Sequence, residues 1–349
     1  MRPARSDPFR CFLAALAGLA LLVSGGHGRA AENAAPASVQ LAFDRSLDAS
    51  MAPFMLAASR GLFGAEHLAV SFRFADGSPE AIARVAAGDS EFALADINEL
   101  IRFRGGADAR PVKAVFMLFN QAPYAIVARK SRGIQALADL EGKTLGVADS
   151  DLTFHLWQAL SKANGIKPST VKIYKMSAAV REPILSAGQV DAVDGFSYLS
   201  AVNLRDRGVP ASDLVVLRYA DYGCEAYGFA VIVNPDFASR NPEAVRGFVR
   251  AVIAGTNLAI KDPERAVDEV VARMDGGDRD LELERLRRVI AENILTGEVR
   301  RNGLGGIDPA RFARAIDQVG EDFKFHKKPD VSDIFDDSFL PPAASRLIN

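Results

Sequence analysis

Short apolar runs alternate with longer amphipathic stretches along most of the chain. Residues 39–43 alternate apolar and polar side chains with the period of a β-strand, and residues 91–95 form the short apolar run typical of a buried strand. Strands that alternate with helices along a chain indicate a layered α/β architecture. The predicted strands are residues 39–43, 70–74, 91–95, 112–119, 143–147, 172–176, 192–193 and 214–217.

Helix starts are marked by a capping residue followed by proline. Ser78 precedes Pro79, and Gly88 ends the amphipathic stretch that follows, so we expect a helix there with Ser78 as its N-cap. Further helices are predicted at residues 51–62 and 152–163. The same cap-then-proline start recurs three times in the last third of the chain, which is therefore predicted to be helical: Asn241-Pro242, Asp262-Pro263 and Asp308-Pro309.

Two segments about a hundred residues apart look alike. Residues 122–128 and 226–233 each contain a tyrosine, Tyr124 or Tyr227, followed by a small and apolar run. Two chain crossings between lobes would have this form, with one lobe inserted into the other. Two unrelated buried strands would also have it, and the pattern does not decide between these interpretations.

The first 30 residues have the pattern of a secretory signal peptide. Arg2, Arg5 and Arg10 precede an apolar run over residues 11–23, and small residues follow at 28–30. The run is shorter than the ~20 residues that a helix needs to span a bilayer. A lipid anchor needs a cysteine just after the run, whereas Cys11 stands at its start, which argues against such an anchor. We therefore expect residues 1–30 to be removed and the mature protein to lie in the periplasm, without membrane attachment.

Composition narrows the class of protein. The chain has 349 residues, of which 49% are hydrophobic and 25% charged, with a net charge of −2. These values exclude a disordered chain, favour two domains and give no basic excess for a nucleic-acid partner. Residues 1–30 carry four arginines and one aspartate, so the remainder has a net charge of −5 and a single cysteine, Cys224.

The motifs of common catalytic sites are absent from the sequence. There is no Gly-rich dinucleotide loop, no P-loop, no HExxH and no GxSxG. None of the four histidines has a partner at metal-ligand spacing, and the carboxylate of Glu225 would not activate Cys224. We therefore predict no catalytic residue, no cofactor and no metal, and expect a binding protein rather than an enzyme.

Six stretches match the motifs of one family in order and spacing. They include APFMLAASRGLF at 52–63, DLEGKTLGV at 139–147 and GQVDA at 188–192; the others lie at 77–93, 234–245 and 335–341. They resemble periplasmic solute-binding proteins of ABC importers, in the branch that serves alkanesulfonates, nitrate and thiamine-precursor pyrimidines.

This resemblance implies a type II periplasmic-binding-protein fold, with two α/β lobes, two crossing strands and a ligand cleft between the lobes. Its domains would be a signal peptide (1–30), a first lobe built from 38–122 and 228–349, and an inserted second lobe (123–227). It also implies a small-molecule ligand, hinge closure, and delivery to ABC permease and ATPase subunits. We expect a monomer.

Ligands of open α/β sheets lie at the carboxyl ends of strands and at helix N-termini. This rule selects the polar and aromatic residues that follow the predicted strands; caps, turns or core are the alternative roles of several of them. The predicted ligand contacts are Asp44, Phe54, Ser78, Asp96, Asn98, Asn120, Tyr124, Asp149, Ser150, Asp151, Thr153, Asp194, Phe196, Glu225 and Tyr227.

The predicted cleft loops are acidic, with Arg45 as their only base. Carboxylates near helix N-termini disfavour a small inorganic anion and favour a neutral or cationic nitrogen compound, such as a pyrimidine-type thiamine precursor. Three alternatives stay open. They are a carrier of aliphatic sulfonates or aromatic carboxylates that uses Arg45, a pyrimidine-synthesis enzyme on the same fold, and the sensory lobe of a membrane receptor.

Overall fold

The computed structural model describes residues 35–107, 109–148 and 151–348. The predicted signal peptide and the predicted ligand contacts Asp149 and Ser150 lie outside these residues. Ten strands form two five-stranded sheets. They are β1 (Ala37–Phe43), β2 (Leu68–Phe74), β3 (Phe92–Asp96), β4 (Lys113–Met117), β5 (Tyr124–Arg129), β6 (Thr144–Val147), β7 (Lys172–Lys175), β8 (Ala192–Phe196), β9 (Leu214–Arg218) and β10 (Phe229–Val233).

The two sheets have the same plan. The strand order is β2-β1-β3-β10-β4 in the first sheet and β7-β6-β8-β5-β9 in the second. In each sheet the first three strands are parallel and the fourth is antiparallel to both of its neighbours. The carboxyl ends of the three parallel strands therefore meet at one edge of each sheet. This confirms the predicted α/β fold with two lobes.

The two similar sequence segments form the fourth strand of each sheet. The first becomes β5, which starts at Tyr124, and the second becomes β10, which starts two residues after Tyr227. Before these strands the chain passes between the sheets along two hydrogen-bonded segments, residues 118–123 and 223–228, which we call the crossing segments. The Ala122 amide donates to the Ala226 carbonyl (3.2 Å), and the Gly228 amide donates to the Phe119 carbonyl (2.9 Å).

Fifteen α-helices cover the sheets within the described part of the chain. They are α1 (Ala52–Ser59), α2 (Leu62–Ala65), α3 (Ser78–Ala87), α4 (Ile97–Arg104), α5 (Leu152–His155), α6 (Trp157–Ala163), α7 (Arg181–Ser186), α8 (Ser197–Asp206), α9 (Pro235–Arg240), α10 (Pro242–Lys261), α11 (Pro263–Val271), α12 (Arg279–Arg288), α13 (Gly297–Asn302), α14 (Pro309–Val319) and α15 (Val331–Ile334). Apolar side chains from both faces of the first sheet are fully buried beneath them.

The cap-then-proline signals locate three helix starts correctly, at α10, α11 and α14. The prediction that Ser78 caps its helix is wrong. The N-cap of α3 is Gly77, and the Ser78 hydroxyl donates instead to Asp44 Oδ2 (2.5 Å). The predicted helix over 152–163 is divided at Leu156 into α5 and α6.

A π-helical turn at Val289–Ile294 links the two sheets beside the crossing segments. Asn293 Nδ2 donates to the Gln121 carbonyl (3.1 Å) in the first crossing segment. The Ser197 hydroxyl at the start of α8 donates to Glu292 (2.8 Å). The turn that follows α12 therefore contacts both a crossing segment and a helix of the second sheet.

No helix within the described ranges combines the length and the apolar character that crossing a membrane requires.

Candidate functional site

A cleft of about 720 Å³ lies between the two sheets at the carboxyl ends of their parallel strands. A cavity of this size can enclose a ligand of a few tens of non-hydrogen atoms. Its lining comes from both sheets: Asp44, Arg45, Ser46, Ala75, Asp76, Gly77, Ser78, Pro79, Asp96, Glu99 and Phe229 from the first, and Tyr124, Asp151, Leu152, Ala178, Ala179, Arg181, Glu182, Phe196, Leu199, Ser200, Asn203 and Arg207 from the second.

The first wall of the cleft is a chain of hydrogen bonds between neighbouring strand ends. Asp44 follows β1, and its carboxylate accepts from the Ser78 hydroxyl (2.5 Å). The same hydroxyl accepts from the Asp96 amide at the end of β3 (3.0 Å). Ser78 is therefore occupied in holding β1 and β3 at a fixed spacing, although it lines the cleft.

Asp96 joins the two lobes at the back of the cleft. Its carboxylate accepts from the Tyr124 hydroxyl of the second sheet, and from the Asn98 amide and Nδ2 (2.9 Å each). Asn98 Nδ2 also lies 2.6 Å from the Tyr227 carbonyl in the second crossing segment. Burial raises the pKa of Asp96 to about 7, and the bonds from Tyr124 and Asn98 oppose part of that rise.

The second wall is organised by Arg181, at the start of α7. Its Nη1 lies 2.5 Å from Asp151 and 3.0 Å from Asp194. Asp194 is fully buried at the middle of β8, and burial raises its pKa to about 7 against the opposing attraction of Arg181. Asp194 Oδ2 has no hydrogen-bond partner among the described residues. A single arginine thus serves two carboxylates.

Aromatic rings form one corner of the cleft around Arg45. The guanidinium carbon of Arg45 lies 4.0 Å from the Phe229 ring centroid and 5.2 Å from that of Phe196. Its Nη1 donates to the Tyr198 hydroxyl (2.8 Å), and Asp44 accepts from Nε (2.9 Å). Burial alone would lower the pKa of Arg45, but Asp44 and its neighbours outweigh it and the pKa is raised.

The lining of the cleft carries more acidic than basic side chains. The acidic members are Asp44, Asp76, Asp96, Glu99, Asp151 and Glu182, and the basic members are Arg45, Arg181 and Arg207. Arg45 and Arg181 are both held by carboxylates of their own lobe, so neither offers an uncompensated charge.

Nine predicted contacts lie in or directly behind the cleft. Six line it: Asp44, Ser78, Asp96, Tyr124, Asp151 and Phe196. Three are buried behind the lining: Asn98, Thr153 and Asp194. Thr153 contributes its carbonyl, which accepts from the Tyr219 hydroxyl (3.0 Å), while its own hydroxyl has no partner among the described residues.

Four predicted contacts lie away from the cleft lining. Phe54 is a core residue whose ring packs edge-on against Phe43, 5.5 Å between centroids. Asn120, Glu225 and Tyr227 belong to the crossing segments. Strand-end position alone does not distinguish a loop that faces the cleft from a segment that runs between the sheets.

The crossing residues are held by three charged side chains of the C-terminal third. Glu298 accepts from Tyr227 Oη and Asn120 Nδ2 (2.9 Å each) and pairs with Arg311 Nη1 (3.0 Å). The Arg311 guanidinium also lies 3.9 Å from the Tyr227 ring centroid. Glu225 pairs with Arg314 (3.2 Å). These contacts fix the crossing segments to α13 and α14.

Sequence reasoning missed part of the second wall. Arg181 and Glu182 follow β7, a strand that the sequence predicts, but the predicted contacts include none from its carboxyl end. Ser200 and Asn203 lie one and two turns into α8, beyond the loop residues that the strand-end rule selects. Extending the rule to every strand, and to the cleft-facing side of the next helix, would have found them.

Comparison with known proteins places these features in a family. Residues 48–266 match the family described as "NMT1/THI5 like". The riboflavin-binding protein RibY of Chloroflexus aurantiacus is 27% identical over 325 residues, which cover 89% of each chain. The periplasmic aliphatic sulphonate binding protein SsuA of Escherichia coli superposes with a TM-score of 0.69 at 15% identity, over 85% of this chain and 91% of that one.

An enzyme stands among the relatives. The 4-amino-5-hydroxymethyl-2-methylpyrimidine phosphate synthase of Schizosaccharomyces pombe is 24% identical over 227 residues, 63% of this chain and 64% of the synthase. Other relatives carry the same enzyme name. The prediction that the chain is not an enzyme is therefore wrong. It relied on the absence of the motifs of common catalytic sites, and that absence does not exclude this class of enzyme.

Proposed function

The chain belongs to the NMT1/THI5-like family, and from that premise we propose that it is the extracytoplasmic solute-binding component of an ABC importer. It captures a small organic nutrient between its lobes and delivers it to a permease. The observation that carries this proposal is the cleft of about 720 Å³, whose walls come from two similar sheets joined by paired crossing segments. Such a cleft opens and closes by bending at the crossing segments.

The bodies that we propose to close are residues 38–122 with 228–349, and residues 123–227. The proposed ligand contacts are the lining residues Asp44, Ser78, Asp96, Tyr124, Asp151 and Phe196. We also propose that residues 1–30 direct export to the periplasm. The mass of the protein recovered from a periplasmic fraction tests this, and an uncleaved N-terminus would contradict it.

The ligand that we propose is a neutral or cationic nitrogen compound with a ring. Asp44 neutralises Arg45, and Asp151 with Asp194 neutralises Arg181, so neither of these two arginines offers an uncompensated cation to a sulfonate. Ring N–H and amine donors suit the surplus of carboxylates in the lining. RibY is named for riboflavin and the synthase relatives for a pyrimidine, so these two compounds are the first to test.

Calorimetric titration of the purified protein with riboflavin, 4-amino-5-hydroxymethyl-2-methylpyrimidine and taurine tests the ligand class. We expect saturable binding of a nitrogen heterocycle and none of taurine. Small-angle scattering should show a smaller radius of gyration when the ligand is bound. Tight taurine binding with no binding of either heterocycle would refute the proposed class.

A second candidate function is pyrimidine phosphate synthesis, which the synthase relatives in the same family favour. A bacterial strain that requires the pyrimidine for growth separates the two candidates when the chain is expressed in its cytoplasm without residues 1–30. Growth without added pyrimidine would support the synthase. A lack of rescue, with heterocycle binding in solution, would support the importer.

A further inference from the structure

Three of the five N–H donors of the Arg45 guanidinium are engaged within the protein. Asp44 accepts from Nε (2.9 Å) and Nη2 (3.1 Å), and Nη1 donates to the Tyr198 hydroxyl (2.8 Å). A bidentate carboxylate of this kind occupies the donors that would otherwise hold an anionic ligand. What Arg45 can still offer to a ligand is the face of its planar group together with two N–H donors.

The Arg45 guanidinium packs on an aromatic ring at the edge of the cleft. The Phe229 ring lies beneath it, 4.0 Å from the guanidinium carbon to the ring centroid. The Arg45 side chain is nevertheless 21% exposed and lines the cleft. Arg45 therefore packs against Phe229 and still reaches the cleft.

The surroundings of the Arg45 guanidinium come from both lobes. Arg45 follows β1 and Phe229 starts β10 of the first sheet, whereas Phe196 ends β8 of the second sheet and Tyr198 lies in the helix that follows it, α8. The Phe196 ring stands nearly perpendicular to Phe229, at 79° with centroids 5.8 Å apart, and it also lines the cleft. Together they form a corner with an Arg45 floor and a Phe196 wall, which we call the Arg45 corner.

We propose that the Arg45 corner recognises the flat ring of the ligand and is completed only when the lobes close. A planar ring stacks on the cleft-facing side of Arg45, with Phe196 against it. The Arg45–Tyr198 hydrogen bond spans the lobes, so lobe closure and ring stacking stabilise each other. This inference rests on the proposed binding function and names the structural class of its ligand, a planar heterocycle.

The test compares charge with planarity at one position. Titrations with riboflavin and 4-amino-5-hydroxymethyl-2-methylpyrimidine are made on wild type, Arg45→Lys and Arg45→Met. Stacking predicts that both variants raise the Kd about tenfold, because lysine keeps the charge but lacks the planar face. Arg73→Met, at an exposed arginine of β2 outside the cleft lining, is the control, with an unchanged Kd expected.

Two further variants separate recognition from folding. Asp44→Asn with Arg45→Met removes the buried carboxylate that Arg45→Met alone would leave uncompensated, and its thermal unfolding is measured beside its Kd. Tyr198→Phe keeps the ring and removes only the hydroxyl, and with it the Arg45–Tyr198 hydrogen bond between the lobes. It should raise the Kd about fivefold and leave the free protein less compact in small-angle scattering.

Two results would overturn the inference. If wild type binds a heterocycle and Arg45→Lys binds it equally tightly, the Arg45 corner is not the stacking site, while the proposed binding function stands. If wild type binds taurine and neither heterocycle, the proposed ligand class and the corner fail together.

Discussion

The carboxyl group of Asp96 is buried at the point where the two lobes meet. Its pKa of about 7 lies above the value of about 4 for an unfolded aspartate. The folded protein therefore holds this proton more tightly than the unfolded chain. The stabilisation is fully present below about pH 4 and is lost as the pH rises through 7.

Asp96→Asn should remove this dependence on pH because an amide does not ionise. We expect the free energy of unfolding of the variant, relative to wild type, to rise by about 2 kcal/mol between pH 5 and pH 8. Urea titrations at the two pH values measure it. Parallel changes in the two proteins would show that Asp96 does not titrate in this range.

The buried pair of Arg181 with Asp194 responds to pH in the opposite direction. Removing the cation leaves a buried carboxylate without its charge partner, and this is more destabilising at high pH, where the carboxylate is ionised. Arg181→Gln should lower the free energy of unfolding by about 2 kcal/mol at pH 8, and by less at pH 5 where Asp194 can take up a proton.

Arg207→Gln is the matched control for Arg181. Arg207 also lines the cleft but is exposed, so its loss should cost no more than about 0.5 kcal/mol. Equal losses in the two variants would mean that the charge balance of the whole cleft, and not the buried pair, is what Arg181 supports.

At these positions the sequence predicted which residues meet but not what they do to one another. Asp44, Ser78 and Asp96 follow strands whose carboxyl ends share an edge, so their proximity followed from topology. The partner of Asp194 did not, because Arg181 comes from a different strand end and their contact depends on how α7 packs. Local pattern contains no information on such pairs.

The helices α1 and α10 pack closely against each other. Gly255 of α10 lies directly over the Pro53 carbonyl, where a Cβ atom would overlap the carbonyl oxygen. The helices can approach this closely only because that position has no side chain.

Gly255→Ala should therefore cost about 2 kcal/mol of unfolding free energy, since one of the two helices must shift. Gly64 of α2 is a helical glycine with open space around its Cα, and Gly64→Ala should be neutral or slightly stabilising. Thermal unfolding of both variants gives the comparison. A loss at Gly64 equal to that at Gly255 would contradict the packing explanation.

Helix starts were the most predictable elements, because capping and proline are local effects that residue order alone records. Ser78 shows the limit of this approach. Its hydroxyl could cap α3 or bind Asp44, and in the structure it donates to Asp44. The paired crossing segments likewise required the contact between Ala122 and Ala226, which no local pattern contains.

Ion pairs and a histidine–carboxylate contact outside the cleft also join the lobes. Arg205 of α8 pairs with Glu284 of α12 on one side. On the other, His155 Nδ1 lies 2.6 Å from Asp322 and Lys162 pairs with Glu321 (2.9 Å). These residues do not line the cleft, so under the proposed hinge closure they would act on ligand affinity only through an open–closed equilibrium.

Glu284→Gln should shift that equilibrium toward the open form. We expect a larger radius of gyration in the free protein and a two- to threefold weaker Kd for the ligand, about the effect of one partly exposed ion pair. Glu264→Gln removes a similar pair with Arg287 (2.9 Å) between α11 and α12, and serves as the control. Equal effects in both variants would exclude a specific role for the α8–α12 contact.

The paired crossing segments have one more consequence. The chain enters and leaves the second lobe at points only one hydrogen bond apart, from Ala122 to Ala226. A segment whose two ends lie this close together can be exchanged as a unit, a cassette, while the rest of the chain keeps its fold. Half of the cleft lining comes with this cassette, including Tyr124, Arg181 and Phe196. Exchanging it between related chains would give hybrid proteins with new ligand preferences, and it offers recombination a route to change specificity in a single event.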